Sequence, residues 1–261
     1  MNSKSVYKYQ LNDFKKSIMV FYLVIACVFV LIFFSIGTML FTINFEVSES
    51  ERSVFRISSL EFASIIFLFV GGLNTFREAF RLSMQNGVSR KSIWTGTVWT
   101  FFTVGGGMAL IDTVIRMGLV NLVASRYNVK IQGLYDFLYS ERSMHNGMLQ
   151  NAFEGFLLNF CLYTAALAIG YFITVAYYRM NKIAKILVSI GVPGLYIFVL
   201  PFADALLFKG ALTNAFVKAI LFSFGGANGG NPYVAMGSGL LISVVFLGLT
   251  YLMVRRAPIK D

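Results

Sequence analysis

Residues 18–40 read IMVFYLVIACVFVLIFFSIGTML, an unbroken apolar run without a charged side chain. A helix rises 1.5 Å per residue, so about 20 such residues cross a hydrocarbon core roughly 30 Å thick. The run exceeds the roughly 7 to 15 apolar residues of a signal-peptide core, and no small-residue cleavage site follows it, which predicts a retained first span. Five further stretches meet the same test: 57–76, 94–120, 153–178, 186–207 and 233–254. The weakest is 186–207, because Pro193 and Pro201 each remove a backbone donor. The predicted fold is an all-α integral membrane protein, with six transmembrane helices in one domain over 1–261.

Composition agrees. The 261 residues are 57% hydrophobic and 13% charged, with a mean hydropathy of +0.71, whereas soluble domains are about one-quarter charged. The net charge of +10 does not imply nucleic acid, because the basic residues form short clusters between apolar runs. The partner those clusters predict is the lipid bilayer. Two Cys and one His leave no disulfide framework and no metal-ligand spacing. Cys27 and Cys161 lie in apolar runs and read as small buried hydrophobes.

Lys and Arg are retained on the cytoplasmic side of short loops. Lys4, Lys8, Lys15 and Lys16 precede the first span; Arg77, Arg81, Arg90 and Lys91 join the second to the third; Arg179, Lys182 and Lys185 join the fourth to the fifth; Arg255, Arg256 and Lys260 follow the sixth. All four clusters fall on one side. The opposite side holds Arg52, Arg56, Arg126, Lys130, Arg142, Lys209 and Lys218, several accompanied by acids such as Glu46, Glu49, Glu51, Asp136 and Glu141. Both termini are expected in the cytoplasm, in a multi-pass protein of a cell membrane.

Over 1–17, Tyr7, Leu11, Phe14 and Ile18 share one helical face, with Lys8, Asn12, Lys15 and Lys16 elsewhere. This predicts a basic amphipathic cytoplasmic helix on the inner leaflet, or simply a topological stop. Between 208 and 232, Leu212, Phe216, Ala219 and Ile220 have helical spacing before the Gly-rich stretch 225–230. Two readings stand there: a short interfacial or re-entrant helix, or a surface loop with a flexible tip.

In residues 76–91, FREAFRLSMQNGVSRK, Phe76, Phe80 and Met84 recur at i, i+4 and i+8, which continues the second span as an amphipathic helix. Asn86-Gly87 is a helix stop, Ser89 an N-cap for the third span, and Val88 with Ile93 a hydrophobic staple. Glu78, then Gly87-Val88-Ser89-Arg90, then Gly96 resembles the loop between the second and third spans in permeases of type-2 ABC exporters, although no Pro precedes Ser89-Arg90. The amphipathic N-terminal helix, six spans and irregular outer segment before the sixth extend the resemblance to the whole chain. It implies a short cytoplasmic coupling helix that docks on a separate ABC ATPase subunit, with Arg77, Glu78, Arg81, Asn86, Gly87, Ser89 and Arg90 as the contact surface. It also implies a second permease, identical or related, and, with the small size and the lack of a large outer domain, a bacterial plasma membrane. The chain has no Gly-x-x-x-x-Gly-Lys-[Ser/Thr] loop, so ATP and magnesium are expected on the partner and no cofactor here.

Asp112 and Arg116, at i, i+4 in the third span, form a candidate intramembrane polar pair. They read either as a mutually neutralised or snorkelling pair, or as a polar patch on a transport path or subunit interface. Glu61, Glu154 and Asp204 read as interfacial. Gly71-Gly72 and Gly105-Gly106-Gly107 read as sites of close helix contact or bending. No catalytic set is legible: His145 is alone in an outer loop, and no Asp pair shares a mid-span depth. The expectation is a transport subunit, not an enzyme, its substrate a peptide, drug or lipid. The alternative is an ATPase-independent membrane protein: an immunity factor, sensor subunit or secondary carrier.

Overall fold

The stop signals at 85–89 act as their chemistry requires. Helix α2 (Leu60–Gln85) ends where Gly87 takes a φ of +68°, a left-handed conformation that costs other residues a Cβ clash. Helix α3 (Arg90–Leu119) then begins, with Ser89 Oγ accepting from the Ser92 N–H over 3.2 Å. Val88 and Ile93 are both buried. No separate helix lies between α2 and α3: residues 76–85 are the last turns of α2, followed by a tight turn.

This computed structural model describes residues 3–43, 56–58, 60–119, 130–195, 200–207, 209–226 and 230–257. Arg52, Arg126, Lys260, Glu46, Glu49, Glu51 and residues 227–229 lie outside that set. Helix α1 (Ser3–Ile43) comes first. Strands β1 (Arg56–Ser58) and β2 (Lys130–Gln132) pair in parallel, Ile57 opposite Ile131. Short helices α4 (Leu134–Leu138) and α5 (Ser140–His145) precede the long α6 (Met148–Arg179). Helices α7 (Lys182–Gly194), α8 (Leu200–Leu207), α9 (Ala211–Ser223) and α10 (Pro232–Arg255) complete the chain. The expected helix before the Gly-rich stretch is α9. Asn231 caps α10 by accepting from the Tyr233 N–H, and Pro232 sits where a missing N–H costs nothing.

Five helices are long and apolar enough to cross a bilayer: Ser3–Leu31 within α1, then α2, α3, α6 and α10. The protein is a multi-pass, all-α membrane protein. Within the predicted span 186–207 the described residues form α7, which contains Pro193, and α8, which begins at Leu200 just before Pro201; residues 196–199 lie outside the described set.

Helix α6 is central, its apolar stretch being the most buried of the five. Phe76 meets Tyr171 and Phe80 meets Tyr178, so α2 and α6 run the same way. Gly239 lies against Cys161, Ser243 bonds Thr164, and Phe246 packs on Phe172, which sets α10 parallel to them. Phe101 on Tyr171 and Asp112 on Tyr163 set α3 antiparallel to all three. The ends of α2, α6 and α10 and the start of α3 therefore gather at one end, where Arg90 Nη1 donates to the Arg255 carbonyl over 2.8 Å. This basic end carries Arg77, Arg81, Arg90, Lys91, Arg179, Arg255 and Arg256. The chain leaves α6 at the basic end and enters α10 at the opposite one.

The amphipathic segment 1–17 is not a separate helix on a membrane surface. It forms the first turns of α1, which continues without a break over 41 residues, a length of about 60 Å. Nothing between Ser17 and Ile18 breaks a helix, and the bundle holds these turns: Val6 sits against Gly96, Gln10 Nε2 donates to Thr97 Oγ1 over 3.0 Å, and Phe14 packs on Gly71. A Cβ on Gly96 would lie 2.9 Å from Val6 Cβ, so this approach needs glycine. Val6 beside Gly96 and Tyr22 beside Asp112 place each α1 residue level with the one about 90 positions later. Lys15 and Lys16, both exposed, thus stand halfway up α3. Each would cost roughly 2.5 to 3.5 kcal/mol in lipid at the bilayer centre. Cys27 is exposed on the same helix, whereas Cys161 is buried as expected.

Candidate functional sites at the two ends of the bundle

At the basic end the turn after α2 presents Arg77, Glu78, Arg81, Asn86, Gly87 and Ser89 to solvent. Their spacing explains why they stay out: Phe76, Ala79, Phe80 and Ser83 take the buried face of α2, leaving Arg77, Glu78 and Arg81 on the other. Arg90 differs. It is half-buried and held by the Arg255 carbonyl, which ties this turn to the end of α10.

The opposite end is built on carboxylates. Glu154, in the second turn of α6, is buried. Its Oε2 accepts from Tyr135 OH at 2.5 Å and Arg142 Nε at 3.0 Å; its Oε1 accepts from Arg142 Nη2 at 3.0 Å, Gln150 Nε2 at 3.1 Å and Tyr233 OH at 3.1 Å. One side chain thereby joins α4, α5, α6 and α10. The two-pronged arginine contact is the strong form of this bond, and Arg142 also lies 5.2 Å from the centre of the Tyr233 ring. Burial, then the adjacent carboxylate, pushes the Tyr135 phenol up to about 12. Burial alone does the same for Tyr139, which donates to the Phe224 carbonyl over 2.7 Å.

Asp112 and Arg116 come to this region but not to each other. Arg116 Nη1 donates to Asp136 Oδ2 over 2.8 Å, and Nη2 reaches the Asn151 carbonyl at 3.4 Å. Asp136 also accepts from the Gly133 N–H at 3.1 Å and from Ser143 Oγ at 2.6 Å. Gly133 makes room: a Cβ there would lie 2.7 Å from Arg116 Cδ and 2.8 Å from Glu61 Oε1, so Glu61 flanks the same arginine. Asp112, fully buried, accepts from Tyr22 of α1 at 2.7 Å and from Tyr163 of α6. The mutually neutralised pair is thus replaced by two sites, because Asp136 offers Arg116 a carboxylate near the aqueous end while two phenols serve Asp112 below.

Asp204 joins two helices. It accepts from the N–H groups of Leu212 and Thr213 at 2.9 and 2.8 Å, fastening α8 to the start of α9. His145 Nδ1 contacts the Glu141 carbonyl at 2.7 Å within α5. Among the described residues, no group of three or more His, Cys, Asp and Glu side chains could hold a metal ion.

The sequence singled out Asp112, Arg116, Glu61 and Glu154 but not the tyrosines 22, 135, 163 and 233 that bind them. A buried phenol in an apolar run needs an acceptor, and that is the signal by which they could be found. No family model, no curated protein and no solved structure matches this chain.

Proposed function

We propose that the chain is the membrane-spanning subunit of an ATP-driven exporter of the type-2 ABC permease kind, working with a separate cytoplasmic ATPase and a second permease chain. One observation carries the reading: the turn after α2 exposes Arg77, Glu78, Arg81, Asn86, Gly87 and Ser89 together at the basic end. The sequence resemblance assigns the ATPase contact to those residues. The basic residues gathered at that end, with Lys4 and Lys8 at the start of α1, fit a cytoplasmic location for that end and for both termini. The passage from α6 to α10 supports a sixth crossing, made within the stretch that carries α7 and α8.

This chain supplies no phosphate-binding loop, so the chemical step belongs to the partner and the role of this subunit is mechanical. A rigid turn suits it. Arg90 braces the turn against α10, and α2 continues unbroken from the turn into the bundle, so a push on 77–89 reaches the helices without being absorbed by a flexible linker.

The test is co-purification from solubilised native membranes, with ATPase activity measured in the eluate. Arg77→Glu with Arg81→Glu is the informative variant, since Arg90 also has a structural contact. An ATPase retained by the parent protein and lost by the variant supports the assignment. Absence of an ATPase from both samples favours an ATPase-independent immunity factor, sensor subunit or carrier.

A further inference from the structure

A cavity of about 320 Å³ lies between the first turns of α1 and the third turn of α3, lined by Ser3, Lys4, Tyr7, Trp99 and Thr103. That is the small end of the roughly 300–1,000 Å³ range of ligand pockets. Tyr7 OH donates to Thr103 Oγ1 over 3.3 Å, so two hydroxyls are fixed side by side on one wall. Lys4 is exposed, and neither ion pair found among the described residues involves it. Trp99 is 63% exposed although it lies within a spanning helix, and exposed indoles of spanning helices gather at the level of lipid headgroups.

We propose that this cavity binds the phosphate of an anionic phospholipid in the leaflet at the basic end. The chemistry is that of a headgroup: an ammonium for the charge, hydroxyls for phosphate oxygens, and an indole at the junction of polar and apolar layers. A second, independent observation points the same way. Lys8 is exposed one turn beyond Lys4 on the same helix, about level with Trp99, and neither ion pair found among the described residues includes it. Two cations on one helix face are unfavourable against acyl chains and favourable against anionic headgroups. The inference does not depend on the ATPase assignment.

Trp99 is itself the reporter. In a Trp94→Phe background it is the remaining tryptophan of the chain, and its fluorescence is read in nanodiscs containing brominated phosphatidylglycerol or brominated phosphatidylcholine. The expected result is quenching at a lower mole fraction of the anionic lipid, by about five-fold for each engaged lysine. Lys4→Gln should remove much of that preference and Lys4→Gln with Lys8→Gln nearly all of it, with unchanged thermal stability because both side chains are exposed. Equal quenching by the two lipids, or a preference untouched in the double variant, overturns the proposal. Loss of the preference on adding millimolar inorganic phosphate at constant ionic strength also overturns it, by identifying a free-anion site.

Discussion

Tyr22 of α1 donates its hydroxyl to Asp112 of α3 over 2.7 Å, and Tyr163 of α6 donates to the other oxygen of the same carboxylate. Three helices meet at one buried acid. This contact lies near the top of the stretch over which α1 is held by the bundle, and it clamps a helix that is otherwise mostly exposed. Replacing Tyr22 by Phe keeps the ring and removes one donor to a buried carboxylate. The expected loss is about 1.5 to 3 kcal/mol, the range for bonds to charged groups. Asp112→Asn should also destabilise, and the double variant should lose less than the sum, with a coupling of at least about 0.5 kcal/mol. Thermal or denaturant unfolding in a fixed detergent reads both. Strict additivity would mean that the two groups do not interact.

Glu154 is the corresponding anchor for the cap formed by α4 and α5. Glu154→Ala leaves Arg142, Tyr135, Gln150 and Tyr233 without their shared acceptor. Breaking a charge pair with one buried partner costs on the order of 3 kcal/mol. The loss should be local, releasing the cap while α2, α3 and α6 stay packed through Phe76, Phe101 and Tyr171. Limited proteolysis should therefore cut after Arg142 much faster in Glu154→Ala, with helical content by circular dichroism nearly unchanged. Equal cleavage rates would show that the cap is held by its other contacts.

What the sequence made legible was local. The stop at Asn86-Gly87, the Ser89 cap and the Val88–Ile93 staple depend on residues within a few positions of one another; the stop and the cap form, and both staple residues are buried. The long apolar runs are equally local, and five of six emerge as helices of spanning length. Partners across the bundle were not legible. The i, i+4 rule pairs Asp112 with Arg116 only where nothing better is within reach, and Asp136, Tyr22 and Tyr163 are brought in from 20, 90 and 51 residues away. The unbroken α1 was missed for a related reason: a change of polarity at residue 17 marks a change of environment, which need not interrupt a helix.

The glycine pairs also divide by what faces them. A Cβ on Gly72 would fall 2.5 Å from the Leu167 carbonyl oxygen, and one on Gly170 would strike the Phe69 carbonyl, whereas Gly107 has nothing within 4 Å. The α2–α6 interface thus uses small residues for backbone approach. Gly72→Ala or Gly170→Ala should push these central helices apart, a form of overpacking that costs about 1 to 3 kcal/mol. Gly107→Ala should be neutral or mildly stabilising, since alanine is the better helix former by about 1 kcal/mol. Melting temperatures of the three variants, compared in one detergent, test the contrast. A melting loss for Gly107→Ala equal to that of Gly72→Ala would contradict it.

The route between α6 and α10 makes a prediction about sidedness. Tyr178 at the end of α6 lies beside Phe80, at the basic end, whereas Tyr233 at the start of α10 bonds Glu154 at the far end. Asn181 and Asn231 therefore stand at opposite ends of the bundle. With Cys27 and Cys161 replaced by Ser or Ala, single cysteines at Asn86, Asn181 and Arg256 should react with an impermeant maleimide from one side of the membrane. Cysteines at His145 and Asn231 should react only from the other. The decisive pair is Asn181 and Asn231, because they bracket α7 and α8. Opposite sidedness means that the stretch carrying these two helices crosses the membrane, with carbonyls freed by Pro193 and Pro201 satisfied by neighbouring groups. The same sidedness for Asn181 and Asn231 would leave five crossings and place the start of α10 at the basic end, which the Tyr233–Glu154 bond forbids.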